Sequence, residues 1–301
     1  MTTAVVAHDA GGAEILSSLL RRQGEGWRAG HVLALDGPAR RVFERKLGKI
    51  ECVGLEAAMG QASSLLCGTG WQTDLEVRAI ALAHHLGKRS VAFLDHWVNY
   101  RERFVRNGKL ELPDEIHVGD AYAFERARAA FPQLPVVQVE NPYFLDLQEQ
   151  FAKLAPPAPH DGLNFLYVCE PVREPALRQF GNERHWGYTE DDALRYFLDN
   201  VRLFGQPVGR IVVRLHPTER PGKYDAIVAE YALPVSFSSG RELAADIGDS
   251  DWVAGCNSMA MVMGLLAGRH VICCIPPGGP PCVLPQSDIR SLQAVTAGEA
   301  L

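Results

Sequence analysis

The sequence lacks the features that mark a membrane protein or an exported one. No apolar run approaches the roughly 20 residues that a membrane-spanning helix needs. The start of the chain, MTTAVVAHD, has no basic segment followed by an apolar one. We therefore expect a cytoplasmic protein without a membrane span, and the sequence leaves peripheral association with a membrane open.

Positive charge is also scarce. The formal net charge is −6, and the densest basic stretch, RRVFERK at 40–46, is typical of the exposed side of a helix. Binding to nucleic acid depends on a basic face that neutralises phosphates. The sequence therefore predicts no nucleic-acid partner.

The seven cysteines do not follow the pattern of a disulfide framework or a metal site. Their number is odd and no C-x-x-C pair occurs, so we expect reduced and mostly buried thiols. The sequence DSD at 249–251 has the spacing of a divalent-metal site for nucleotide diphosphates, but it precedes a predicted strand, away from the ligand edge of a sheet. G-x-G-x-x-G and G-x-S-x-G motifs are missing as well. The sequence therefore predicts no metal and no cofactor.

What the sequence does contain is an alternation of short apolar strands and helices over 301 residues. Continuous apolar strands of this kind predict parallel sheets with helices on both faces. A break at 153–162, KLAPPAPHDG, carries three prolines and no periodicity, and we interpret it as a linker. The sequence therefore predicts an α/β protein of two Rossmann-like, doubly wound parallel-sheet domains, 1–152 and 163–301, that face a cleft (a GT-B-like arrangement).

Ligands of such sheets bind at the carboxyl ends of the strands. In the first domain, two glycines after the strand at 4–9 would let the backbone approach a ligand and open a helix N-terminus, which attracts anions. The loop at 94–104 joins an acid, aromatic faces and two arginines, which suit a sugar and its charged groups. A plain turn or helix cap is the alternative at each place. The candidates are His8, Asp9, Gly11, Gly12, Thr69, Asp95, His96, Trp97, Arg101, Arg103 and Asn141.

Strands of the second domain, whose predicted helices include 190–204 and 221–231, end in the same way. His216 closes the strand at 210–216, and the following proline stiffens the turn and disfavours α geometry at His216. At 255–268, a serine hydroxyl, backbone N–H groups and the helix dipole would bind a phosphate, with N-capping as the alternative. The candidates for nucleotide binding are Glu170, His216, Pro217, Thr218, Gly255, Asn257, Ser258 and Met259.

The order of these motifs resembles that of GT-B-fold nucleotide-sugar enzymes. HPTE at 216–219, followed by the serine-containing turn at 255–268, is similar to bacterial sialyltransferases and Kdo transferases, in which such motifs contact CMP. HDAGG at 8–12 lies where those enzymes carry an Asp as catalytic base. VENPYFLD at 139–146 is similar, more distantly, to a turn of UDP-GlcNAc 2-epimerases.

The resemblance implies a glycosyltransferase of bacterial surface polysaccharide or glycoprotein biosynthesis. The second domain would bind the nucleotide-sugar donor, and the first would bind the sugar or glycoprotein acceptor. Transfer would invert the anomeric carbon without a metal, with Asp9 as general base. His216 and the Ser258 turn would stabilise the leaving phosphate. A CMP-activated acidic sugar, a nonulosonate or Kdo, is favoured over a UDP-sugar.

Two alternatives stay open. A nucleotide-sugar hydrolase or 2-epimerase on the same fold would act on the donor alone. A nucleotide-binding protein without catalysis would bind the nucleotide and turn nothing over. The sequence makes no prediction of the oligomeric state.

Overall fold

Each half of the chain is built on one parallel sheet of six strands in the computed structural model, which describes residues 1–70, 73–154 and 159–300. The two compact units are Met1–Asp146, called unit 1, and Leu147–Leu301, called unit 2. The predicted class of two doubly wound parallel sheets is confirmed. Of the predicted linker, residues 155–158 lie outside the described residues, and the predicted domain bounds stay a prediction.

Unit 1 places its sheet between helices that follow the strands in turn. Its strands are β1 (Thr3–Ala7), β2 (His31–Leu35), β3 (Ser64–Cys67), β4 (Arg89–Leu94), β5 (Val105–Arg106), β6 (Lys109–Leu110), β7 (Glu115–Val118) and β8 (Val136–Gln138). Its helices are α1 (Ala10–Arg22), α2 (Trp27–Gly30), α3 (Gly37–Leu47), α4 (Leu55–Gln61), α5 (Leu75–His85), α6 (Ala121–Ala130) and α7 (Pro142–Ala152), the last of which extends into unit 2. The sheet order is β2-β1-β3-β4-β7-β8, while β5 and β6 form a separate antiparallel pair.

Unit 2 repeats the plan with a different strand order. Its strands are β9 (Leu163–Val168), β10 (Val208–Arg214), β11 (Val235–Phe237), β12 (Trp252–Gly255), β13 (His270–Cys273) and β14 (Ile289–Ser291). Its helices are α8 (Arg173–Phe180), α9 (Glu190–Asn200), α10 (Asp225–Val228), α11 (Leu243–Gly248), α12 (Met259–Leu266) and α13 (Leu292–Thr296). The sheet order is β11-β10-β9-β12-β13-β14.

These strand orders fix where a ligand site belongs in each unit. The chain winds outward in one direction and then in the other, so that the order reverses between β1 and β3 in unit 1 and between β9 and β12 in unit 2. At such a reversal the connections diverge to opposite faces and leave a crevice at the carboxyl ends of the two strands. Residues after these four strands are therefore the first places to look for function.

Short polar side chains fix several helix starts at these carboxyl edges. Asp36 accepts a hydrogen bond from Gly37 N at 2.7 Å, at the start of α3. Asp120 accepts one from Ala123 N at 2.7 Å, at the start of α6. Because the first N–H groups of a helix have no partner within it, these carboxylates stabilise the helix starts.

Each unit has its own apolar core. In unit 2, Phe165 contacts Phe197 and Phe204 edge to face, and Phe204 meets Trp252 in the same way, with ring centroids 4.9–5.6 Å apart. In unit 1, the buried Phe43 of α3 packs with residues of β1 and α1. Burial of these side chains is the main force that holds helices on the sheets.

The structure differs from the sequence prediction in the helices of unit 2. The helix expected at 190–204 ends at Asn200 and continues as a 3₁₀ turn to Phe204, because Gly205 adopts a left-handed φ of 73°. The helix expected at 221–231 is only the four residues of α10. Gly222 has a φ of 83° just before α10, a value that a helix does not allow. Among the described residues, no helix is long and apolar enough to cross a membrane.

Candidate functional site

In the crevice between β9 and β12 of unit 2, an acid that follows β9 is hydrogen-bonded to the loop that follows β12. Glu170, two residues after β9, accepts a hydrogen bond through Oε2 from Asn257 N, at 2.8 Å, and Asn257 lies two residues after β12. Burial raises the pKa of the Glu170 carboxyl above its ordinary value, and the Asn257 N–H lowers it by less. The predicted candidates Glu170 and Asn257 are therefore brought together at the switch point of the sheet.

The start of α12 lies beside this contact. Ser258 Oγ accepts a hydrogen bond from Ala260 N at 3.2 Å, so this serine does cap the helix, as the simpler alternative predicted. Asn257 Oδ1 accepts one from Val283 N at 2.9 Å. Met259, the first residue of α12, is half-buried. The capping bonds fix the position of the helix start, whose remaining N–H groups and dipole favour an anion.

Gly255, the last residue of β12, is needed for close packing in the same crevice. A Cβ atom at Gly255 would lie 2.7 Å from Val168 Cγ2 and 3.3 Å from Met261 Sδ, distances that real Cβ contacts do not reach without a shift. The glycine therefore lets β12 approach the end of β9. Its predicted contact with a nucleotide stays a prediction.

His216 lies two residues after β10, which ends at Arg214 rather than at His216 as predicted, and it has a defined hydrogen-bond arrangement. Thr218 N donates to His216 Nδ1 at 3.3 Å, and Thr218 Oγ1 lies 2.8 Å from the same nitrogen. Since a backbone N–H can only donate, Nδ1 is an acceptor, and the neutral ring carries its proton on Nε2. Burial lowers the pKa of His216, and the Glu219 carboxylate raises it by less, which favours this neutral form. His216, Pro217 and Thr218 thus form one compact turn that offers an Nε2–H donor.

A bridge of three charged residues supports that turn. Glu219 accepts from His216 N at 2.9 Å through Oε2 and from Lys223 Nζ at 2.8 Å through Oε1. Lys223 Nζ also donates to Glu190 Oε1 at 2.5 Å, and Glu190 Oε2 accepts from Arg173 N at 2.8 Å. We call this the Glu219–Lys223–Glu190 bridge, and it joins the loop after β10 to the start of α8.

The bridge is largely buried, and its pKa shifts show mutual stabilisation. The side chains of Glu219 and Glu190 are 3% and 4% exposed. Burial raises the pKa of Glu190, but the hydrogen bonds from Lys223 and backbone N–H groups lower it by more. Burial lowers the pKa of Lys223, but the two carboxylates raise it by more. A depression of ≈ 500 Å³ adjoins the bridge and is lined by Pro171, Glu174, Thr218, Glu219, Arg220, Pro221, Gly222 and Lys223.

In unit 1, His8 and Asp9 form a pair at the end of β1. His8 Nδ1 lies 2.7 Å from Asp9 Oδ1, and both side chains are mostly buried. His8 N donates to Glu76 Oε1 on α5 at 2.7 Å, and burial raises the pKa of Glu76. A Cβ atom at Gly37 would lie 2.4 Å from His8 Nε2, so the ring packs directly on that glycine. The pair is therefore held from three sides.

The two glycines predicted to open α1 make close contacts, each with a different partner. A Cβ atom at Gly12 would lie 3.0 Å from Gly68 Cα, so the backbones after β1 and β3 nearly touch. A Cβ atom at Gly11 would lie 2.0 Å from Asp95 Oδ2, so the Asp95 carboxylate occupies the space beside the start of α1. The predicted anion site at this helix start therefore contains a carboxylate of the protein itself.

Asp95 belongs to a buried ion pair. Arg103 Nη1 donates to Asp95 Oδ1 at 2.7 Å and to Thr69 Oγ1 at 3.0 Å, and Thr69 Oγ1 donates to Asp95 Oδ1 at 3.1 Å. The side chains of Arg103 and Asp95 are 5% and 11% exposed. Three predicted site residues thus meet, and they bind one another.

The other predicted residues of the loop after β4, and Asn141 after β8, do not join this ion pair. Trp97 is buried and donates from Nε1 to Asp120 Oδ2 at 2.9 Å. His96 packs against the Trp97 ring, and burial lowers its pKa. Arg101 is exposed and donates to Ala130 O at 3.4 Å. Asn141 caps α7, since its Oδ1 accepts from Tyr143 N at 3.0 Å and from Phe144 N at 3.3 Å.

The predicted absence of a metal site stays a prediction, although two observations bear on it. Asp251 accepts from Asn164 N at 2.7 Å at the amino edge of the sheet, and Asp249 pairs with Arg241 at 2.6 Å. Within 1–70, 73–154 and 159–300, no group of three His, Cys, Asp or Glu side chains is arranged to hold a metal ion.

Sequence reasoning missed the acids and the lysine that position the candidates. These are Glu76, Glu190, Glu219 and Lys223. Glu219 carried the one available signal, because it belongs to the HPTE stretch and stands four residues before Lys223. Glu76 and Glu190 gave none, since an acid in the first turn of a helix is ordinary.

Comparison with known proteins supports the fold. A scan of protein-family models finds no match, and a search of curated proteins finds no similar sequence. Among solved structures, the chain is similar to UDP-GlcNAc 2-epimerase from Neisseria meningitidis bound to UDP-GlcNAc (TM-score 0.60, 10% identity, 91% of this chain and 82% of that one). It is also similar to MurG from Acinetobacter baumannii (TM-score 0.51, 13% identity, 99% and 82%).

A third similar structure is an α/β-galactoside α-2,3-sialyltransferase from Photobacterium phosphoreum, with a TM-score of 0.51 and 9% identity over 99% of this chain and 100% of that one. At these identities the likeness establishes the fold alone. The chain has the GT-B fold, as the resemblance of its motifs implied.

Proposed function

We propose that this protein is a GT-B glycosyltransferase that binds the nucleotide of its donor on unit 2. The observation that carries the proposal is the meeting of Glu170 with the Asn257–Ser258 helix start, at the point where the strand order reverses. Parallel sheets of this kind bind nucleotides at that point. The donor is a CMP-activated acidic sugar, and the acceptor is a hydroxyl of a sugar or glycoprotein.

Each group of this site has a defined task in the proposal. The N–H groups at the start of α12 and the Ser258 hydroxyl bind the phosphate. The neutral His216 ring donates from Nε2 to the phosphate oxygen that becomes negative as the sugar leaves. The Glu170 carboxyl, half-buried and of raised pKa, binds the ribose or the base. No metal and no further cofactor takes part in this scheme.

Unit 1 supplies the base. Asp9 accepts the proton of the acceptor hydroxyl, as carboxylates do in general-base catalysis. Its pairing with His8 Nδ1 at 2.7 Å fixes the carboxylate and gives the transferred proton an adjacent imidazole. In this scheme transfer is a single displacement, which inverts the anomeric carbon.

The test is a thermal-shift titration with CMP, UDP, GDP and ADP. A ligand that binds only the folded protein raises Tm in proportion to the logarithm of its concentration over Kd. We expect CMP to raise Tm and His216→Ala to remove the shift. The matched control is His270→Ala, an exposed histidine at the amino end of β13 in the same unit, which keeps the shift. A shift by none of the four nucleotides contradicts the proposal.

A nucleotide-sugar 2-epimerase is the second candidate. The UDP-GlcNAc 2-epimerases superpose with TM-scores of 0.58–0.60, above the 0.51 of the sialyltransferase and MurG. This function requires a UDP shift in the same titration and conversion of UDP-GlcNAc without any acceptor. A hydrolase also consumes the donor alone but releases free sugar. If a nucleotide binds and no donor is converted, the protein is a nucleotide-binding protein without catalysis.

A further inference from the structure

Two cysteine thiols of unit 2 converge on the backbone carbonyl of a third cysteine beside the candidate nucleotide site. Cys273 Sγ, on the last residue of β13, lies 3.3 Å from Cys256 O, and Cys282 Sγ lies 3.4 Å from the same oxygen, so that either thiol can donate to it when protonated. Cys256 itself precedes Asn257, whose N–H is bound by Glu170. The two thiols that share the Cys256 carbonyl are therefore adjacent to each other and to the start of α12.

The two thiols differ in a way that makes one of them the nucleophile. Cys282 is half-buried, whereas Cys273 is buried. A hydrogen bond from the Cys273 S–H lowers the pKa of Cys282, and burial and the Glu170 carboxylate, which act in the opposite direction, do less. The same hydrogen bond, together with burial, raises the pKa of Cys273. Since the thiolate is the reactive form, Cys282 reacts first and Cys273 stays protonated beside it.

Cys52 shows that partial burial alone does not lower the pKa of a thiol in this protein. Cys52 is also a half-buried free thiol, but burial raises its pKa, and the charge of Arg40 offsets only part of that. A lone thiol of raised pKa is a poor nucleophile near neutral pH. Cys52 is therefore the internal control for every measurement on Cys282.

We propose that Cys273 and Cys282 form a modification site at which a peroxide oxidises the two thiols to a disulfide. The Cys282 thiolate attacks one peroxide oxygen, the O–O bond breaks, and the leaving oxygen departs as water once protonated. The Cys273 sulfur then displaces the hydroxyl from the Cys282 sulfenic acid, which releases a second water. In sum, two thiols and one hydrogen peroxide give one disulfide and two waters, and a thiol reductant reverses the step.

The disulfide changes the geometry at Asn257. A disulfide bond of about 2.05 Å is much shorter than a thiol hydrogen bond, so Cys282 must move toward β13. The next residue, Val283, donates its N–H to Asn257 Oδ1 at 2.9 Å and moves with it. The disulfide also has no S–H group left to donate to Cys256 O. The expected effect on nucleotide binding rests on the proposed function. The formation of the disulfide does not depend on that function.

Mass spectrometry of the full chain tests the site directly. Arg269 and Arg290 flank the region, so trypsin releases residues 270–290 as one peptide that contains Cys273, Cys274 and Cys282. After stoichiometric hydrogen peroxide and then iodoacetamide, we expect this peptide to lose two hydrogens and to carry one alkyl group. In Cys274→Ser the oxidised peptide is expected to carry no alkyl group, because both of its remaining cysteines are in the disulfide. An unchanged peptide, added oxygen on Cys282 without a bond, or a disulfide that persists in Cys273→Ser overturns the proposal.

Two variants of Cys273 distinguish the hydrogen bond that Cys273 makes to Cys282 from the disulfide bond that it forms with Cys282. In Cys273→Ser, the hydroxyl still donates to Cys282, so Cys282 keeps its fast alkylation by iodoacetamide but forms no disulfide. In Cys273→Ala, alkylation of Cys282 slows several-fold toward the rate of Cys52. If Cys282 reacts equally fast in the wild type and in Cys273→Ala, the two thiols are not coupled and the proposal is wrong.

Two further measurements follow the effect of the disulfide on the Val283–Asn257 hydrogen bond and on nucleotide binding. Amide exchange at Val283 is expected to be faster in the oxidised protein and to recover with dithiothreitol, and unchanged exchange overturns the link to Asn257. The Tm shift by CMP is expected to fall on oxidation and to return on reduction. If CMP gives no shift even in the reduced protein, the proposed function fails, while the peptide masses still decide the oxidation site.

Discussion

Asp95 of unit 1 and Glu170 of unit 2 are acids at the carboxyl edges of the two sheets, and they are held in different ways. In unit 1, Asp95 accepts from the side chains of Arg103 and Thr69. In unit 2, Glu170 and Glu219 accept from the backbone N–H groups of Asn257 and His216. An acid bound to a cation fixes two side chains, whereas an acid bound to N–H groups fixes the loop itself. The Asp95–Arg103 pair is therefore expected to act mainly on stability, whereas Glu170 and Glu219, the latter also bound to Lys223, fix the loops of the unit 2 site.

The largest effect is expected from breaking the ion pair of unit 1. Arg103→Ala leaves the buried Asp95 carboxylate without its cation, which costs about 3–5 kcal/mol of the free energy of unfolding. Chemical denaturation monitored by circular dichroism measures the loss. Arg101→Ala, two residues away and exposed, is the control and is expected to leave the unfolding curve unchanged. Equal effects of the two substitutions would contradict the role given to the pair.

Removal of the lysine from the bridge of unit 2 is expected to have the next largest effect. Lys223→Met leaves Glu190 and Glu219 facing each other without a shared cation, which costs about 2–3 kcal/mol at neutral pH, less than a fully buried pair because Lys223 is 24% exposed. His216 N loses a firmly held acceptor, so the CMP shift also falls. Loss of stability without loss of the CMP shift would show that the bridge does not position His216.

The effect of Lys223→Met on the free energy of unfolding is expected to depend on pH, in a direction that follows from the pKa of Glu190. The pKa of Glu190 is lowered in the folded protein, so its pairing stabilises the fold above the ordinary pKa of a glutamate, and that stability is lost as the pH falls through the folded pKa. In Lys223→Met the pKa of Glu190 is no longer lowered by the lysine, so Glu190 is protonated at a higher pH and its repulsion with Glu219 is relieved. The difference in unfolding free energy between wild type and Lys223→Met is therefore expected to shrink in acid. A difference that is constant with pH would exclude an electrostatic origin.

The edge of each sheet could be predicted from the sequence, but the contacts along it could not. An apolar run that stops at Glu170, His216 or Asn257 places these residues after strands by local pattern alone. The order of the strands and the pairing of Glu190 with Lys223, 33 residues apart, depend on tertiary packing that no local pattern records. For the same reason, the bond from Arg103 to Asp95 could not be predicted from the sequence, and the predicted ligand contact of Arg103 stays a prediction.

A glycine of unit 1 provides a smaller test of how tightly the His8–Asp9 pair is held. Gly37 has a left-handed φ of 50°, and a Cβ there would overlap the His8 ring. Gly37→Ala is therefore expected to cost about 1–3 kcal/mol of the free energy of unfolding and to move the ring away from Asp9. Gly30→Ala is the control, because a Cβ at Gly30 meets nothing within 4 Å. Thermal unfolding compares the two, and equal values would mean that the ring yields without cost.

The smallest stability effect is expected at Ser258, where the helix cap and the phosphate contact must be separated. Glycine is nearly as good an N-cap as serine, so Ser258→Gly costs only a few tenths of a kcal/mol. It also removes the hydroxyl that the proposal places on the phosphate. A hydrogen bond to a charged group contributes about 1.5–3 kcal/mol, so the affinity for CMP is expected to fall about tenfold or more.

Ser291→Gly is the matched control, because Ser291 is also a serine that caps a helix of the same unit, α13, and is not among the candidate site residues. Both variants weaken a cap, so both should lower Tm by a similar small amount. Titration calorimetry with CMP then distinguishes them: only Ser258→Gly is expected to lose affinity. If Ser258→Gly binds CMP as tightly as Ser291→Gly does, Ser258 is a helix cap and nothing more. The phosphate would then be held by the backbone N–H groups of α12 and by His216.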